Sequence, residues 1–211
     1  MQTELLSTRN IVKEFSGVRV LNDINIHVKT GEIFGILGEN GAGKSTLLKI
    51  LCGIYTPTDG EVHLNGDKVV IRNPMEAKAL GISMIPQEFN LIGTLTVFEN
   101  IFLGSEIKNR FFLNKKKMRG KTRELLNELQ TNLSPDALIS DLSVAKKQMV
   151  EIAKALVHES QILIMDEPTT VLTSHEVEIL FDLIKRLKEK KVTILFISHK
   201  LSEVKRVCDR I

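Results

Sequence analysis

Apolar and polar residues alternate through the first 30 positions, most clearly at Ile24, Ile26 and Val28, and a period of two predicts strands with one buried face. "GEIFGILG" then runs apolar without alternation, as a strand buried on both faces does. "KSTLLKILCG" takes up a helical spacing, with Gly53 as its C-terminal stop. "TPTDGEVHLNG" reads as a turn and a short strand. From about Phe89 to Ser160 the pattern is mostly helical and includes the lysine-rich "NKKKMRGKTRELLNELQ".

Beyond it the chain returns to strand, helix, strand. "ILIM" is a short apolar strand and "VTILFIS" a β-branched one. Between them "TSHEVEILFDLIKRL" places Val177, Leu180, Phe181, Ile184 and Leu187 on one helical face, and Thr173 with Glu176 has capping-box spacing. A helix after Ser143 has the stripe Met149, Ile152, Ala153 and Leu156, with Ser143 as its cap. The expected fold is an α/β core interrupted by a helical insertion over about 88–160, without repeats or a low-complexity linker.

Composition narrows this to an ordinary globular chain: 211 residues, 43% hydrophobic and 26% charged, enough for one sizeable core. A net charge of +3 permits an anionic ligand without demanding nucleic acid, and none is expected as a partner. The two cysteines, Cys52 and Cys208, lack C-x-x-C spacing, and the five histidines lack metal-ligand spacing, which suits a reducing compartment. The N-terminus lacks the order of a signal peptide, and no apolar run approaches the ~18 residues of a membrane span. A cytosolic protein, or a cytosolic part of one, is expected.

"GENGAGKST" fits G-x-x-x-x-G-K-[ST] through Gly38, Gly43, Lys44 and Ser45. Polyphosphate needs backbone N–H donors converging without side-chain obstruction, which the loop of Gly38, Asn40, Gly41, Ala42 and Gly43 offers, while the following helix presents its positive end. Lys44 would reach the β and γ phosphates, Ser45 would hold magnesium, and Thr46 would sit near the α phosphate. The strand "ILIM" ends in Asp166, at the sheet edge where open α/β folds bind ligands, and that carboxylate can orient magnesium. Glu167 can accept a proton from attacking water. Gln87, after an apolar strand, can contact magnesium or that water, and His199, at the end of another, can reach a γ phosphate.

With these residues in this order, the chain resembles the nucleotide-binding domains of ATP-binding cassette (ABC) proteins over nearly all of its length. The resemblance implies a P-loop NTPase core with an antiparallel β subdomain and an inserted helical subdomain, and ATP and Mg2+ as ligands. It implies Phe15 as the aromatic stacked on adenine, Gln87 as the Q-loop, Ser143 in the signature, Asp166 and Glu167 as Walker B, and His199 as the switch histidine. "GISMIPQEFNLIGTLTVFENIFLG" and "QMVEIAKAL" look like the carbohydrate-importer branch, in particular the first of its two fused cassettes. The implied partners are a second nucleotide-binding domain, a transmembrane permease at the cytoplasmic face of the cell membrane, and indirectly a substrate-binding protein. The chain is then expected to be part of a longer protein.

Two motifs depart from the family. The signature L-S-G-G-Q reads Leu142, Ser143, Val144, Ala145, Lys146, and the D-loop S-A-L-D reads Thr170, Val171, Leu172, Thr173. Other readings compete. A P-loop GTPase should carry N-K-x-D, and "NKKKM" lacks the aspartate; a small-molecule kinase would not need Ser143 and His199 in this order. A soluble ABC ATPase unconnected with transport, and a regulatory module that holds ATP with weak turnover, share the same motifs. The basic run Lys108 to Lys121 reads as a solvated face, or as a surface near anionic headgroups.

Overall fold

The computed structural model describes residues 3–39, 41–87, 89–110, 112–157 and 160–211. Two long strands, β1 (Glu4–Phe15) and β2 (Val18–Lys29), pair antiparallel, and β1 also pairs antiparallel with β4 (Asp59–Leu64). With β5 (Asp67–Val69) they form a four-stranded sheet in the order β2-β1-β4-β5. Its inward side chains, among them Leu6, Ile11, Leu21, Val28 and Val62, are buried.

The second sheet is parallel and runs β3 (Ile33–Leu37), β10 (Thr193–Ser198), β9 (Ile162–Asp166), β6 (Ile82–Ile85). Its strands alternate between two apolar clusters, as burial on both faces requires. Ile162, Ile164, Leu195 and Ile197 face α1 (Lys44–Leu51) and the antiparallel sheet. Leu163, Met165, Ile194 and Phe196 face the other cluster, with α6 (Ser174–Glu189) and α7 (Leu201–Val207). Thr173 and Glu176 form the capping box that opens α6.

Between α1 and β6 stands α2 (Pro74–Ala79), and between β6 and β9 the chain leaves the sheet. There lie α3 (Val97–Ile101), α4 (Lys115–Glu128) and α5 (Val144–Leu156), the inserted helical part. That stretch is not helical throughout: β7 (Lys108–Asn109) and β8 (Phe112–Leu113) form a small hairpin before α4. The basic run falls on this hairpin and the first turns of α4. Lys115 pairs with Glu99 and Arg119 with Asp136, while Lys108, Arg110, Lys116, Lys117 and Lys121 make no ion pair among the described residues. The family resemblance and the architecture agree: a P-loop α/β core, an antiparallel β subdomain and inserted helices.

Candidate functional site

All four parallel strands run the same way, so their carboxyl ends open on one edge. Each hands over at that edge to a residue singled out in the sequence: β3 to Gly38, β6 to Gln87 after Pro86, β9 to Asp166 and Glu167, and β10 to His199. Residues 38 to 199 are thereby gathered without any being close in sequence to all the others.

A cleft of about 410 Å3 lies there, lined by Val20, Gly41, Gly43, Lys44, Ser45, Thr46, Gln87 and Glu167. Gly43 is the N-cap of α1 and, like Gly41, has a positive φ. No side chain among the described residues caps α1, and its first turn holds no acid. The first N–H groups of a helix have no partner within it, so here they are left for a ligand, and the helix dipole favours an anion. By contrast, α5 and α6 are capped by the hydroxyls of Ser143 and Thr173. The Lys44 ammonium is folded back on its own loop, donating to the carbonyls of Gly38 (2.6 Å) and Glu39 (2.9 Å).

The two acids differ. Asp166 is 7% exposed. Burial pushes its carboxyl above the ordinary aspartate range and the Glu167 charge adds to this, while a hydrogen bond with Ser45 and the charges of Lys44 and Lys49 oppose it. Glu167 sits at φ 47, a left-handed conformation uncommon for a side chain of its size. Its carboxylate lies 3.1 Å from Nδ1 of His199 and accepts a hydrogen bond from the Thr170 hydroxyl at 3.4 Å.

Other residues named from sequence lie apart from the cleft wall. His199 and Gly38 line an adjoining hollow with Leu37, Glu39 and Leu201. Ala42 faces an apolar hollow with Leu21 and Ile24. Asn40 lies outside the described residues. Phe15, 37% exposed at the end of β1, meets Tyr55 edge to face at 5.2 Å between ring centres, with the Lys13 ammonium 4.9 Å from its own. Ser143 is exposed at the start of α5, its hydroxyl accepting the Lys146 N–H at 3.4 Å. Val20 and Tyr55 were not foreseen. A valine in an alternating strand carries no chemical signal; an aromatic just after α1, following Gly53, could have been noticed.

Fold and site together define a P-loop α/β nucleotide-binding protein. A family model described as ABC transporter matches residues 21–170, and the chain belongs to that family. It is 46% identical over 206 residues to the ribose import ATP-binding protein of Caldanaerobacter subterraneus subsp. tengcongensis, covering 97% of this chain and 42% of that one. To the galactose/methyl galactoside import ATP-binding protein of Clostridium perfringens (strain SM101 / Type A) it is 43% identical over 209 residues, 99% of this chain and 41% of that one. The chain thus spans about two fifths of the length of these curated relatives. Among solved structures it is similar to the ADP conformation of an ATP-binding cassette of an ABC transporter, with TM-score 0.88 and 28% identity over 98% of this chain and 85% of that one. A nucleotide-free cassette from an ABC transporter gives TM-score 0.89, with 28% identity, over 98% and 86%. No helix among the described residues is long and apolar enough to cross a membrane.

Proposed function

We propose that this chain binds MgATP in the cleft and, paired with a second cassette, hydrolyses it to drive a membrane permease that imports a sugar. The observation that carries the reading is the uncapped N-terminus of α1, set behind Lys44 and opposite Glu167 in one cleft. The names of the relatives, ribose and galactose/methyl galactoside import proteins, support the sugar and the transport. They favour it over a soluble ABC ATPase or a regulatory module. The chain would then sit at the cytoplasmic face of the membrane, held by the permease.

The donors fit magnesium. The Ser45 hydroxyl, the Asp166 carboxylate and the Gln87 amide oxygen are all hard oxygen ligands, and a cation would offset the burial of the Asp166 charge. No group of three or more His, Cys, Asp or Glu able to hold a metal occurs among the described residues, which suits an ion whose shell is completed by phosphate and water. When bound, the ion neutralises charge on the phosphates.

The chain's own residues do the rest. Lys44 would exchange its carbonyl partners for phosphate oxygens, and Gly41, Gly43 and Thr46 would complete the cradle around the α1 N–H groups. Gln87 would orient a water for in-line attack on the γ phosphorus. As the new P–O bond forms and the bond to ADP breaks, Glu167 would take the water's proton. His199, hydrogen-bonded to Glu167, would hold that carboxylate and sense the γ phosphate. Phe15, with Tyr55 beside it, would stack on adenine. Ser143 is exposed and does not line this cleft, and it would reach the ATP of the partner cassette; a bacterial ABC transporter cassette in a dimeric structure is similar to this chain, with TM-score 0.79 and 28% identity.

Two substitutions test the core of this. Lys44→Ala should abolish ATP binding. Glu167→Gln should keep ATP affinity within about threefold while slowing phosphate release by about a hundredfold or more. Hydrolysis by Glu167→Gln at the parent rate would remove Glu167 as the base. Ser143→Arg in this chain, paired with an intact partner cassette, should cost turnover at the partner's site and leave this chain's own site working. The reverse result would end the cross-dimer reading.

A further inference from the structure

Between Gln87 and α3 the chain passes through Asn90, Leu91 and Ile92 without regular secondary structure. Asn90 and Ile92 are exposed and Leu91 is half-buried, so water could serve the backbone polar groups of this segment, yet side chains of the inserted helices take them. Glu151 on α5 accepts the Asn90 N–H at 2.6 Å, and Lys154, about one turn further on, donates to the Asn90 carbonyl at 3.0 Å. Asn100 on α3, fully buried, accepts the Ile92 N–H at 2.8 Å and donates to the Ile92 carbonyl at 3.1 Å. Both polar groups of both residues are therefore held by α3 and α5, and none by the parallel sheet.

The other end of the loop is fixed differently. Gln87 follows β6, whose residues Ile82–Ile85 pair with β9 in the core. Gln87 thus lies between an anchor in the sheet and a clamp on the helices. Glu151 is an expensive choice for its position. It is 5% exposed on a helix whose neighbouring residues Val150, Ile152 and Ala153 are buried and apolar. Burial raises its carboxyl above the ordinary glutamate range, opposed by Lys154 and by the Asn90 N–H. An apolar side chain of similar volume would pack there at less cost to the fold. What it would lack is an acceptor for Asn90.

We propose that Glu151 is a positioning residue which, with Lys154 and Asn100, ties the Gln87 loop to the helix that begins at Ser143. A displacement of Gln87 toward a γ phosphate is then delivered to α3 and α5 as one body. Ser143 stands eight residues before Glu151 on the same helix, roughly 12 Å along its axis at ~1.5 Å per residue. The clamp therefore links the nucleotide of this chain's cleft to the surface offered to the partner's nucleotide. This rests on the roles assigned above to Gln87 and Ser143.

The test uses the full protein with its partner cassette, comparing Glu151→Leu, which removes the acceptor, with Glu151→Gln, which keeps an acceptor oxygen. Glu151→Leu should leave the Kd for ATP within about twofold and lower kcat about tenfold, and Glu151→Gln should restore kcat to within about threefold. Hydrogen exchange supplies a second readout. In the parent, a non-hydrolysable ATP analogue should change protection both around Gln87 and in the first turns of α5; in Glu151→Leu only the first change should remain. The clamp is overturned if Glu151→Leu keeps the parent kcat, if affinity and kcat fall together, or if α5 still responds. A parent that does not bind ATP at all overturns the functional reading itself, and this inference with it.

Discussion

Asp166 is a carboxylate taken out of water by the strand that carries it, and its titration has a consequence for stability. Its folded pKa lies above the unfolded value, so the native state holds the extra proton. The stabilisation this gives is complete below the unfolded aspartate value and is lost as pH rises through the folded one. The Asp166 contribution to the stability of nucleotide-free protein should therefore fall on going from acid toward neutral pH through that window, against the opposite trend of the carboxyls whose values are lowered, such as Glu99 and Glu176. Asp166→Asn should melt higher than the parent at neutral pH, with the gap closing in acid, in thermal scans without nucleotide or magnesium. A lower Tm for the variant at neutral pH would show that the Ser45, Lys44 and Lys49 interactions outweigh burial. Phe15→Ala should weaken ATP binding about two- to thirteenfold in a titration, the size of one lost aromatic contact of about 0.5–1.5 kcal/mol. At this scale the sequence was most legible where chemistry is carried by neighbours in the chain, as in Gly41 to Thr46. Val20 was hidden because its place in the cleft depends on the packing of β2 over α1, which no local pattern records.

Among the elements, α1 ends where Gly53 allows it to. Gly53 has φ 70, and a Cβ there would stand 2.6 Å from the Asn73 carbonyl oxygen and 2.8 Å from Cγ2 of Ile71. Gly53→Ala should cost on the order of 2–3 kcal/mol, combining backbone strain with a clash against backbone, and should shift the urea midpoint without changing the m-value. Helices with a long apolar stripe and a cap, α5 and α6, were readable in advance because period and cap agree. Four small elements were not. β5 has three residues, too few to show alternation, although the Asn65-Gly66 turn before it, both residues at positive φ, is a hairpin signal. α2 has six residues behind an Asn73 cap, too few to show a period. β7 and β8 have two residues each within a lysine-rich stretch, where charge masks any alternation.

For the whole molecule, an α/β core interrupted by helices was readable from the change in hydrophobic period, whereas the separate antiparallel sheet came only with the family resemblance, because strands of both sheets carry similar local patterns. The order of strands in the parallel sheet was not readable, since it depends on contacts between distant parts of the chain. That order has a consequence for how the protein is made. β3 carries the phosphate loop and, among the described strands, neighbours only β10, with a single bridge from Phe34 to Arg210 on its other edge, while Gly31 beside it donates its N–H to the Thr193 hydroxyl, 162 residues away. A ribosome adding about 5–20 residues per second takes roughly 8–30 s to travel from β3 to β10. The antiparallel sheet, complete by Val69, can pair long before that, whereas β3 waits with its apolar face uncovered. A chain cut after Lys190 should keep strand signal in far-UV circular dichroism yet bind no ATP and be cleaved by protease within the phosphate loop. Tight binding by that shortened chain would show that β3 needs no partner strand. Otherwise the nucleotide site comes into being only after β10 has left the ribosome, and until then β3 lacks the strand that holds its phosphate loop in place.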